Sequence, residues 1–168
     1  QIDYLKEVYK TAYRRIDISI LFFQRATEIL GSEGKASYIS SLQFRSSKYG
    51  KNIRNYLGER SIDKIVNFQD LPVFEDATTY PGIIVWGSEK VETPQETSYI
   101  ELQNLNQDTL NDFVSQDENQ SIIRYKTILP QEEDWQFHNK QEKKLKQKLD
   151  EFDKLPSIGH SHTGMFTG

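Results

Sequence analysis

A layered α/β domain is the fold class this sequence predicts, and three observations lead to it. Two stretches, "DISILFFQRATEILG" and "SKYGKNIRNYLG", carry apolar residues at helical spacing. Short runs rich in β-formers follow them. The resulting order is helix, strand, helix, strand, strand, in which alternation implies parallel crossovers and the last pair, lacking a helix between them, implies an antiparallel hairpin at the sheet edge.

In the first helix Ile18, Leu21, Phe22, Ala26, Ile29 and Leu30 fall at i, i+3, i+4 spacing, with Asp17 as N-cap and Gly31 as stop. "KASYIS" is the strand after the "GSEG" turn. The second helix runs from about Ser47 to Leu57, placing Tyr49, Ile53, Tyr56 and Leu57 on one face and Gly58 at its end. "IDKIVNF", bounded by the turn at Ser61 and by "QDLP", and "GIIVW", ended by Gly87, are the two strands of the hairpin. Further on the periodicity weakens: "TSYIELQNL" and "SIIRYKTIL" read as strands, "DTLNDFVSQ" as a short helix, and Pro130 to Asp134 as a linker. A lysine-rich helix with Leu145, Leu149, Phe152 and Leu155 at helical spacing, stopped by Pro156, completes an irregular C-terminal extension.

Composition bounds the function. The 168 residues are 36% hydrophobic and 27% charged, ordinary for a chain that buries one sizeable core. With no cysteine there is no disulfide framework, thiolate zinc site or thiol nucleophile, which fits a reducing cytoplasm. The apolar runs are too short to span a bilayer, so no membrane partner is expected. A net charge of −4 gives no general attraction to phosphate backbones, although six lysines cluster in "NKQEKKLKQKLDEFDK". A first residue Gln and a last stretch "TGMFTG" suggest a piece of a longer protein.

Few residues offer chemistry by pattern alone. His160 and His162 in "GHSHTG" lack third and fourth ligands nearby and read as exposed turn histidines, so no metal site is expected. Glu75 and Asp76, like Glu132, Glu133 and Asp134, are adjacent in sequence and rarely converge on one substrate. No nucleophile elbow and no phosphate-binding glycine loop is present. One oddity stands out in "QDLPVFEDATTYPGIIVW": the bulky Phe74 sits in the polar part of the loop. The residues alone favour an inward plug.

From Asp17 to Trp86 the order and spacing of "GKNIRNYL", "IDKIVNF" and "VFEDA" resemble the second half of the catalytic domain of adenine-specific DNA methyltransferases of the type II restriction-modification, type IIG-like family with a TaqI-like specificity domain. One departure is Ser41, where the family has Pro after the middle strand. The tail, with Leu155, Ile158 and "GMFTG", resembles the approach to the specificity domain. The family's glycine-containing cofactor loop and "NPPY" motif do not occur here. This resemblance implies a partial Rossmann-like methyltransferase sheet over 1–129 and a linker helix with the start of a specificity domain over 130–168.

The function it implies is methyl transfer from S-adenosylmethionine to the exocyclic amine of an adenine flipped out of double-stranded DNA, in a cytoplasmic restriction-modification system. S-adenosylmethionine is then a ligand of the parent protein and not of this chain, which carries no catalytic residue of its own. The resemblance also assigns Phe74 to stacking on the target base. Arg45, Lys48 and Lys51 flank the loop after "KASYIS" and are candidates for DNA contact, against the simpler reading of a solvated helix start. An incomplete sheet with an apolar edge implies a homodimer of the isolated piece. The alternative in another class is a non-catalytic α/β module for DNA positioning or protein assembly.

Overall fold

The computed structural model describes residues 2–14, 16–75, 80–131 and 133–152. Contacts divide the chain into two units, Gln1–Phe137 and His138–Gly168. The segment read as a linker, Pro130 to Asp134, falls within the first of these units. Trp135 is fully buried there, its Nε1 donating to the carbonyl of Pro130 at 3.0 Å and its backbone N–H to the carbonyl of Arg45 at 2.8 Å.

Five strands form one mixed sheet: β1 Lys35–Ser41, β2 Arg60–Asn67, β3 Pro81–Lys90, β4 Glu96–Leu102 and β5 Ile122–Ile128, in the order β1-β3-β2-β4-β5. β2 and β3 pair antiparallel as the hairpin reading expects. The hairpin is inside the sheet, however, and not at its edge. β1 adds antiparallel to the outer side of β3, and β4 adds parallel to β2. Its physical reason lies in "GIIVW": an apolar run without alternation suits a strand flanked on both sides and covered on both faces. Gly87, expected to end that strand, lies within β3, and Ser61 lies within β2 instead of in a turn. Since β1, β2 and β4 all run in one direction, their carboxyl ends gather at one end of the sheet.

Helix α1 spans Ile2–Val8 without buried residues; α2, Ile18–Ile29, and α3, Lys51–Gly58, cover one sheet face. The core on that face centres on Phe23, Phe44, Ile53, Leu57, Ile84, Trp86 and Trp135. On the opposite face Val66, Phe68, Ile100, Leu102 and Ile122 pack with Leu71 and Val73 of the β2–β3 loop and with Leu110 and Phe113 of α4, Gln107–Ser115.

Asp17 caps α2 as expected, its Oδ1 accepting from the Ser19 N–H at 3.0 Å. The buried face of α2 differs from the one its apolar spacing predicts. Ile20, Leu21, Phe23, Gln24, Ala26 and Thr27 face inward, whereas Ile18, Phe22 and Ile29 form an outward stripe. Two hydrogen-bonded polar residues cause the shift. Thr27 donates to the Phe23 carbonyl and accepts from Trp86 Nε1, each at 2.8 Å, and Gln24 Oε1 accepts from the Thr11 N–H at 3.1 Å. Satisfied in this way, both enter the core at little cost.

In the second unit α5, Lys140–Asp150, is the lysine-rich helix, opened by a capping box between Asn139 and Glu142. Leu145 and Leu149 are exposed along it, as is Phe152 just beyond its end. The expected turn histidines His160 and His162, and Leu155, Pro156, Ile158 and "GMFTG", lie outside the described residues. Among the described residues no helix is long and apolar enough to cross a membrane.

Candidate functional site

The carboxyl end of the sheet brings together the two loops that the sequence singled out. After β1 the chain makes 3-10 turns at Leu42–Arg45 and Lys48–Gly50 before entering α3. Ser41, standing where the resemblance expects Pro, accepts at its Oγ from the Gln43 N–H at 3.3 Å and so caps the first turn. The β2–β3 loop arrives beside it: the Leu42 N–H donates to the Tyr80 carbonyl at 3.0 Å, and a side chain at Gly82 would strike Leu42.

Arg54 holds the first loop in place. Buried within α3, its Nη1 donates to the carbonyls of Phe44 at 2.7 Å and Ser47 at 2.8 Å, its Nε to the Glu133 carbonyl at 3.1 Å, and its Nη2 pairs with Asp134 at 2.6 Å. A planar guanidinium can serve several carbonyls at once from one position. Gly50 permits the close approach, since a Cβ there would collide with the Phe44 backbone.

Of the three candidate DNA-contacting cations, Lys48 and Lys51 are exposed at this end. Arg45 is half-buried, its guanidinium 5.5 Å from the centre of the Phe137 ring. Phe74 lies on the β2–β3 loop with its side chain 45% exposed, although Leu71 and Val73 just before it pack against the second core. It is therefore not an inward plug. Asp76 and Ala77, the rest of "VFEDA", lie outside the described residues.

Behind Arg45 a ring stack leads to a buried polar chain. Phe137 stacks on Tyr99 with centroids 4.4 Å apart, and Tyr125 lies 4.9 Å from Tyr99 on another side. The Tyr99 hydroxyl accepts from Asn67 Nδ2 at 2.8 Å and donates to Glu101 Oε2 at 3.0 Å. Burial, with the Glu101 carboxylate adding to it, pushes the Tyr99 hydroxyl well above the ordinary tyrosine range. It stays protonated and remains a donor. Asn67 Oδ1 in turn accepts from the Gln69 N–H at 2.9 Å. Sequence reasoning missed Arg54 and Tyr99, both of which lie inside segments correctly assigned to a helix and a strand.

A cleft of about 550 Å³ opens at the same end, lined by Ile16, Asp17, Ile18, Gln43 and Tyr49. The glycines at the carboxyl end, Gly50 and Gly82, back onto the chain's own Phe44 and Leu42, and no described glycine has the positive φ common in nucleotide-cradling turns. Among the described residues no group of three or more His, Asp or Glu side chains could hold a metal ion.

Comparison with solved structures supports the fold. The chain superposes with a TM-score of 0.50 on the type IIG restriction endonuclease BpuSI, at 16% identity, covering 71% of this chain and 15% of that one. A chain of a type I R-M system gives a TM-score of 0.51 at 9% identity, covering 87% of this chain and 39% of that one. In sequence the chain is 32% identical over 90 residues to the type II restriction enzyme and methyltransferase RM.Eco57I of Escherichia coli, a match covering 53% of this chain and 9% of that protein. It is 33% identical over 79 residues to the type II methyltransferase M.BstVI of Geobacillus stearothermophilus, covering 46% and 14%. The chain thus spans a small part of the relatives it matches. Residues 1–74, from α1 through β2 to Phe74, match the model of the family described as Eco57I restriction-modification methylase.

Proposed function

We propose that this chain is the C-terminal half of the methyltransferase fold of a site-specific DNA adenine methyltransferase from a restriction-modification system. The carboxyl end of its sheet is the face that meets double-stranded DNA, and Phe74 stacks on the adenine flipped out of the duplex. The parent transfers a methyl group from S-adenosylmethionine, held by parts of the protein other than this chain. The observation that carries this reading is the exposed Phe74 ring beside loop residues that are packed, at the end of the sheet where ligands of open α/β sheets bind. Similarity of residues 1–74 to the Eco57I methylases supports it from the sequence side.

The outward stripe of Ile18, Phe22 and Ile29 and the unpaired edge of β1 are surfaces that the remainder of such a sheet would cover. The isolated chain pairs these surfaces with a second copy of itself. Lys48 and Lys51 contact phosphates, so their double alanine variant in the intact protein should flatten the dependence of log affinity on log salt by about 1.8 for duplex DNA. Unchanged affinity at low salt would remove them from the interface.

Product analysis tests the assignment itself. The intact protein, incubated with duplex DNA and S-adenosylmethionine, should yield methylated adenine on nucleoside mass spectrometry. DNA binding with no methylated base of any kind would favour the non-catalytic DNA-positioning module, and methylated cytosine would overturn the adenine assignment.

A further inference from the structure

We propose that Tyr99 is a positioning residue: with Asn67 and Glu101 it fixes the departure of the segment that presents Phe74. This rests on the reading of Phe74 as the base-contacting residue. The chain of bonds is continuous, from the Glu101 carboxylate through the Tyr99 hydroxyl to the Asn67 amide, and from the Asn67 carbonyl oxygen to the Gln69 N–H. Gln69 has a φ of 52°, a left-handed conformation that costs energy for a residue with a Cβ. An Asx turn compensates for such a conformation, and only while its side chain keeps one orientation. Tyr99 sets that orientation by accepting from Asn67 Nδ2, which leaves the Asn67 oxygen aimed at Gln69.

Phe74 follows Gln69 by five residues, and Leu71 and Val73 between them pack on the second core, so the backbone angle at Gln69 sets how this stretch seats there and, through it, where the Phe74 ring is presented. Glu101 completes the device. It accepts the hydrogen bond that the Tyr99 hydroxyl donates, leaving the oxygen lone pairs to Asn67, and is itself held by Gln103 Nε2 at 2.8 Å. Phe137 and Tyr125 hold the ring, so the hydroxyl can be deleted without emptying the core.

The test compares Tyr99→Phe, Glu101→Gln, Glu101→Leu and Phe74→Ala in the intact methyltransferase, reading the methylation rate constant, duplex DNA affinity and melting temperature. Because misplacement by about 1 Å can cost up to a hundredfold in rate, Tyr99→Phe should lower the rate constant about tenfold with DNA affinity within about twofold of wild type. Glu101→Leu should do the same, and provides the readout if Tyr99→Phe does not fold. Glu101→Gln keeps an acceptor for the hydroxyl and should stay near wild type. Wild-type rates in Tyr99→Phe and Glu101→Leu, with Phe74→Ala impaired, would overturn the positioning role and leave the assignment of Phe74 standing. Rate, affinity and melting temperature falling together would also overturn it, as loss of fold. Full activity in Phe74→Ala would instead overturn the reading on which the proposal rests.

Discussion

Replacing Arg54 with alanine should destabilise the first unit by about 3–5 kcal/mol, the cost of breaking a buried charge cluster by removing one partner. The loss is distributed over three carbonyls that lose their donor, that of Phe44, which is buried, and those of Ser47 and Glu133, which are part-buried. Asp134 contributes less. Its side chain is 45% exposed, so water replaces the missing charge and Asp134→Asn should cost no more than about 1 kcal/mol. At about 2–4 °C per kcal/mol for a chain of this size, Arg54→Ala lowers the melting temperature by roughly 6–20 °C. Denaturant unfolding of both variants separates the two contributions. Equal losses in Arg54→Ala and Asp134→Asn would mean that the ion pair, and not the carbonyl cluster, is what the guanidinium serves. Lysine at position 54 should recover only part of the loss, since a single ammonium cannot reach carbonyls spread along a planar fork.

Phe74→Ala carries the largest expected effect on activity. Stacking of a base on an aromatic ring is worth about 1–3 kcal/mol, which corresponds to about a fivefold to 150-fold fall in the rate of methylation of duplex DNA if the contact acts on the flipped base. Stability should hardly change, because a ring 45% exposed and outside both core clusters buries little on folding. Phe74→Tyr and Phe74→Trp keep a π face and should retain most of the rate. A Phe74→Ala variant that unfolds, or that methylates normally, would contradict the assignment.

Most elements were legible in the sequence because each carries a local signal. The periodicity of "DISILFFQRATEILG", the β-formers of "KASYIS" and the apolar run of "GIIVW" give α2, β1 and β3 in order. What could not be read depends on partners distant in sequence. The inward face of α2 is set by Thr27 meeting Trp86 and by Gln24 meeting Thr11. Hairpin pairing was readable, but its interior place follows from β1 closing on β3 and β4 on β2, which no local pattern specifies. Arg54 looked like one more polar helix residue in "GKNIRNYL"; the carbonyls it serves come from the turns before α3 and from Glu133, far along the chain. Tyr99 is similar. Its partners Asn67 and Phe137 lie 32 and 38 residues away, so only the register of β2 against β4 and the return of the 130–137 segment bring them together. Phe74 was half legible: its misfit within a polar loop was visible in the sequence, but the residues alone favoured an inward plug, whereas the ring is 45% exposed.

The central claim, that the carboxyl end of this sheet receives the target base at Phe74, is tested most directly by photo-crosslinking. Duplex DNA carrying 5-iodouracil at the target position is irradiated with the intact enzyme, and the adduct is mapped by peptide mass spectrometry. The account predicts crosslinked peptides that contain Phe74, lost in Phe74→Ala. Adducts confined to the opposite end of the sheet, around Lys10, Arg60 and Lys90, would contradict it.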